Sequence, residues 1–144
     1  MLELLGLIVG QAVGVLLWSL LNASILQWRA RKIKAWAINF KQAYFLSLKA
    51  GLVALVVGDA AVFAITFSGS SSEDLLKYVG LLFGLVSWWF THSNALLKLA
   101  GPSLPLTVKE ARAISASVFG YLFGALFALS LVLVLLLSLF SALK

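Results

Sequence analysis

The stretch GLIVGQAVGVLLWSLLN, residues 6–22, sets Gly6, Gly10 and Gly14 four residues apart in an otherwise apolar run. That spacing puts all three on one stripe of one helix. Glycine inside a helix costs about 1 kcal/mol relative to alanine. Such a stripe is expected where something must come close to the backbone.

The surroundings of that something follow from composition. Of 144 residues, 62% are hydrophobic and 11% charged, with mean hydropathy +1.07, whereas soluble domains carry about 25% charged residues. A soluble core in so short a chain has no means of hiding this much apolar surface, so the expected solvent is a bilayer. There is no cysteine, which excludes disulfides, thiolate metal sites and cysteine nucleophiles. His92 is the single histidine, and no metal site or other cofactor is expected.

About 20 apolar residues span a bilayer core, and four such windows fit: about 2–23, 43–67, 78–100 and 114–142. The expectation is an all-α membrane four-helix bundle forming a single domain, built of hairpin 1 (about 1–69) and hairpin 2 (about 70–144). The first window has Glu3 ahead of it and its basic residues behind it, unlike a signal peptide, and reads as a retained helix. Arg29, Arg31, Lys32, Lys34, Lys41 and Lys49 follow the first window, and Lys98, Lys109 and Arg112 lie around the connection between the third and fourth. The intervening segment carries Glu73, Asp74 and Lys77. The positive-inside rule then places both basic connections in the cytoplasm and both termini outside, as in a multi-pass protein of a bacterial-type inner membrane. In a chain this apolar the net charge of +6 is read as topology and as contact with anionic lipid, with Arg29, Arg31, Lys32 and Lys34 as headgroup residues, and no nucleic-acid partner is expected.

Local signals mark the helix ends. Ser70 with Glu73, Thr107 with Glu110, and Asn39 with Gln42 each have the spacing of a capping box. Residues 23–44 contain no Gly or Pro and read either as an interfacial amphipathic helix or, preferably, as extensions of the first two spans with Trp28 and Trp36 as interfacial anchors.

The series Gly10, Gly14, Trp18, Asn22 recurs as Gly80, Gly84, Trp88, His92. Each is followed by a basic connection and a similar helix start, which suggests a tandem repeat of two hairpins in parallel orientation; chance similarity in a low-diversity sequence is the alternative. Small residues at four-residue steps let membrane helices approach, and Gly6, Gly10, Gly14, Gly80, Gly84, Gly120 and Gly124 are the expected packing positions, used within the chain or against a partner subunit.

Asp59 lies inside the second span, where an ionised carboxylate costs about 3 kcal/mol on insertion scales. Gln11 and His92 are its candidate partners in an intramembrane polar network. Three roles stay open for Asp59: a hydrogen-bonded structural residue, an ion or proton site, and a contact to another subunit. The glycine stripe Gly6, Gly10, Gly14 with Asp59 on the following helix resembles the hairpin of rotary ATPase proteolipids, which implies proton or cation carriage by Asp59. The resemblance covers hairpin 1 alone; the dense alternating glycines and short polar loop of that family are missing, and the chain carries five Trp.

The sequence contains no catalytic constellation, so the expectation is a non-catalytic accessory or structural subunit that packs against other membrane protein subunits or against itself. The alternative is a small oligomeric proton or cation transporter working through Asp59.

Overall fold

The computed structural model describes residues 2–69, 72–101 and 104–142. The chain is all-helical: α1 (Leu2–Lys34), α2 (Phe40–Phe67), α3 (Glu73–Ala100) and α4 (Val108–Ala142). Among the described residues, three stretches are long and apolar enough to cross a membrane, Val9–Lys34, Phe40–Phe67 and Val108–Leu136. Helix α3 is 28 residues long, as is α2, but holds the polar run Thr91, His92, Ser93 and Asn94, which keeps its average hydropathy lower.

The helices extend past the predicted spans at the basic end. Helix α1 runs on to Lys34 and ends in a left-handed turn at Ala35, φ 52°. There the Ala35 N–H donates to the Arg31 carbonyl at 3.0 Å and the Trp36 N–H to the Ala30 carbonyl at 3.2 Å. The Gln27 amide pins the connection by donating to the Ile38 carbonyl at 2.8 Å. Asn39 caps α2 by accepting from the Lys41 N–H at 2.9 Å, while no reciprocal bond from Gln42 is found among the described residues. Thr107 and Glu110 form the expected reciprocal box: the Thr107 N–H donates to the Glu110 carboxylate at 2.9 Å, and the Glu110 N–H donates to Thr107 Oγ1 at 3.2 Å. The cap of α3 is Ser72, accepting from the Leu75 N–H; Ser70 lies outside the described residues. Helix α3 stops at Gly101, whose φ of 59° suits a residue without a Cβ.

The four helices form a ring. Helices α1 and α3 each pack on α2 and α4, and no diagonal pair comes into backbone contact among the described residues. The closest pair is α2–α3, where a Cβ at Gly58 would lie 2.9 Å from the Gly80 carbonyl oxygen and one at Gly84 would lie 3.2 Å from the Ala54 carbonyl oxygen. Backbones in such contact gain dispersion and weak Cα–H···O bonds, which replace the hydrophobic drive that lipid does not supply.

Buried apolar residues gather toward the basic end: Ala23, Leu26 and Ala30 from α1, Ala43 and Leu46 from α2, Leu96 from α3, and Ala111, Ile114 and Val118 from α4. Toward the opposite end α1 and α4 leave the bundle. From Phe123 to Leu136 every described side chain of α4 is exposed, an apolar surface suited to lipid or to another helix.

Candidate functional site: a polar-mouthed cavity above a buried polar layer

Where α1 diverges, a cavity of about 560 Å³ opens between α1, α2 and α3, with Phe119 of α4 reaching in. Gly14, Gly51, Gly58, Gly80 and Gly84 form part of its wall with bare backbone. Trp18, Trp88 and Phe119 line it toward the basic end, and Gln11, Asp59 and Lys77 are its polar lining. Asp59 is exposed and stands eight residues from the end of α2, about 12 Å along the helix.

The expected network of Gln11, Asp59 and His92 is thus divided. Gln11 and Asp59 share the cavity wall without a hydrogen bond between them among the described residues. His92 does not join them: it is fully buried, its Nδ1 lies 2.8 Å from Ser115 Oγ, and its ring stacks on Trp88 with centroids 4.7 Å apart. The reason is depth along α3. Gly80, Gly84, Trp88 and His92 follow one stripe, so the Trp88 indole faces the cavity and His92 lies one turn farther toward the basic end.

His92 belongs to a layer to which every helix contributes one residue. Asn22 of α1 accepts from Ser47 of α2 at 3.2 Å, and His92 of α3 pairs with Ser115 of α4, all four being fully buried. Asn22 Nδ2, Trp88 Nε1 and His92 Nε2 find no partner among the described residues, and buried unpaired groups of this kind each cost about 1 to 3 kcal/mol. Sequence reading reached Asn22 through its place in the repeated series but missed Ser47 and Ser115. A signal was present, since each follows its helix-start residue, Asn39 or Thr107, by the same interval.

The glycine stripes also divide. Gly80 and Gly84 pack against α2, whereas a Cβ added at Gly6, Gly10, Gly14, Gly120 or Gly124 meets nothing within 4 Å. Gly6, Gly10, Gly14 and Gly124 lie on exposed stretches of α1 and α4, and Gly120 faces outward between the buried Val118 and Leu122.

Of the basic residues expected at headgroups, two are engaged inside the protein. Arg29 Nε donates to Ser117 Oγ at 3.1 Å, and its guanidinium lies 5.2 Å from the Tyr121 ring centroid. Lys34 pairs with Glu110 at 2.6 Å. Lys32 sits 4.9 Å from the Trp28 ring centroid, and Arg31 is exposed. No group of three potential metal-ligating side chains occurs among the described residues. No family model, curated protein or solved structure matches the chain.

Proposed function

We propose that the chain is a four-span accessory subunit that binds a helix of another membrane protein along the free halves of α1 and α4. The carrying observation is that Gly6, Gly10 and Gly14 on α1 and Gly120 and Gly124 on α4 meet nothing within 4 Å. Each glycine costs about 1 kcal/mol against alanine in a helix, and a partner backbone packed on the stripe offsets that cost.

The reading includes α3 as the fourth span, held by its glycine contact with α2, with both basic connections in the cytoplasm and both termini outside, in a bacterial-type inner membrane. It also includes descent from two tandem hairpins. Supporting this, the buried positions Asn22, Ala23, Leu26 and Ala30 recur with the same spacing as His92, Ser93, Leu96 and Ala100. In the second helices, Ala43, Leu46, Ser47 and Ala50 recur as Ala111, Ile114, Ser115 and Val118.

A proton or cation pathway through Asp59 is the competing reading, and its support is the cavity that Asp59 lines. The aromatic floor of Trp18, Trp88 and Phe119 argues against a continuous path, since it separates Asp59 from the buried polar layer of Asn22, Ser47, His92 and Ser115. The test of the subunit reading is purification in mild detergent. The wild type is expected to bring down a membrane protein in stoichiometric yield, and Gly10→Leu with Gly124→Leu to lose it at unchanged thermal stability. A wild-type chain recovered alone, as a monomer, overturns the reading.

A further inference from the structure

We propose that the groove between α2 and α3 at the basic end is a binding site for one anionic phospholipid, its phosphate held by Lys41, Lys49 and Lys98. The three lysines line one groove of about 530 Å³. Lys41 and Lys49 come from α2 and flank Phe45 on the same face at four-residue steps, while Lys98, Ala95 and Leu99 form the α3 wall.

The groove lacks a counter-charge. The chain has five acidic residues, Glu3, Asp59, Glu73, Asp74 and Glu110. Glu3 and the pair Glu73 and Asp74 begin α1 and α3 at the far end of the bundle, and Asp59 lines the cavity there. Glu110 is already paired with Lys34. No ion pair to Lys41, Lys49 or Lys98 occurs among the described residues. Like charges gathered in one groove repel each other, and an anion placed among them offsets part of that repulsion.

Depth makes the anion a lipid. Lys49 stands nine residues into α2 from Phe40, about 13 Å along the axis, well inside the apolar stretch. A cation so deep is expensive unless it snorkels toward the interface or meets an anion. Basic pockets between membrane helices select lipid phosphates on this principle. Phe45, Ala95 and Leu99 supply an apolar strip beside the charges for an acyl chain. The charge count also selects the headgroup. A phosphatidylglycerol-type head, with a phosphate and no ammonium, offsets one of the three lysine charges, whereas a choline or ethanolamine head brings a fourth cation that cancels the gain.

Native mass spectrometry of the full chain in detergent tests this, with phosphatidylglycerol, phosphatidylcholine and inorganic phosphate as probes. One phosphatidylglycerol is expected to stay bound at concentrations where phosphatidylcholine does not. Lys41→Gln/Lys49→Gln/Lys98→Gln should weaken its binding on the order of a hundredfold, at about one basic-residue contribution each. Lys77→Gln/Lys109→Gln/Arg112→Gln, with the same loss of charge outside the groove, should leave it within a few-fold of wild type. If the groove triple does not fold, the single variants decide: Lys49→Gln is expected about fivefold weaker and Lys49→Arg near wild type. Equal weakening in both triples, equal retention of phosphatidylcholine, or Lys49→Gln binding like wild type overturns the site. Displacement of the lipid by inorganic phosphate alone overturns its assignment to a lipid.

Discussion

Gly58 and Gly80 meet backbone to backbone: a Cβ built on Gly58 would stand 2.9 Å from the Gly80 carbonyl oxygen. The neighbour is main chain and has no rotamer by which to move aside. Gly58→Ala therefore gains up to about 1 kcal/mol of helix propensity and loses more by prising α2 from α3. A net destabilisation of about 1 to 2 kcal/mol is expected by analogy with overpacked cores. Gly124→Ala, with open space around it, should keep the propensity gain. Thermal unfolding of the two variants in one detergent checks the contrast, and equal melting temperatures would contradict it.

The bond between His92 Nδ1 and Ser115 Oγ is fully buried. Ser115→Ala strands the imidazole nitrogen and should destabilise by about 0.6 to 2 kcal/mol, the low end being the average for membrane hydrogen bonds. Adding His92→Leu removes the stranded group and should restore part of the loss. A double-mutant cycle on unfolding free energies measures the coupling, and strictly additive losses would show that the pair does not interact.

Much of the architecture was legible because it is written in local spacing. Thr107 and Glu110 announced a reciprocal cap. The four-step series ending in Asn22 and His92 pointed to positions that become fully buried. What was not legible depends on partners. A glycine stripe states only that a backbone is approachable, so Gly80, which touches α2, and Gly10, which touches nothing, look alike in one dimension. Serine has the same ambiguity. Ser19, Ser93 and Ser130 turn back to the carbonyl four residues earlier, whereas Ser47 and Ser115 reach across to another helix. No spacing rule separates the two behaviours. His92 was grouped with Asp59 because depth along a helix can be counted from sequence, while the indole that comes between them cannot.

Lys34 and Glu110 join the end of α1 to the start of α4 at 2.6 Å. Glu110→Gln keeps the amide oxygen that receives the Thr107 N–H and removes the charge that attracts Lys34. The expected effect is a small loss of stability at low ionic strength, as for other partly exposed pairs. It should fade toward zero near 1 M salt, where the Debye length is about 3 Å. A loss of the same size at both ionic strengths would assign the effect to the cap rather than to the ion pair.

Asp59→Asn separates the two functional readings. The subunit reading expects the variant to assemble as wild type does. It also expects liposomes carrying either protein to show no proton or cation flux above protein-free controls. A wild-type flux that disappears in Asp59→Asn would instead establish the transport role.

Membrane orientation is open to single cysteines on opposite ends of the bundle. Ser68→Cys, in the turn after α2, should react with an impermeant thiol reagent added outside intact cells, and Lys109→Cys should not. The reverse pattern would invert the topology.

A bundle whose buried side chains gather at one end turns its longest helices into levers. The portion of α1 from Val15 to Gly6 is an arm about 14 Å long. Rotating it by about ten degrees about the Val15 level carries its tip about 2 Å and leaves the Val15 approach to Gly51 and the Trp18–Phe123 ring contact in place. Gln11 and Gly14 ride on that arm and form one wall of the cavity, so its mouth widens or narrows with the tilt of α1. Tilt is the variable by which long membrane helices accommodate bilayer thickness. In a bilayer, a change of thickness that tilts α1 is expected to change the width of this opening.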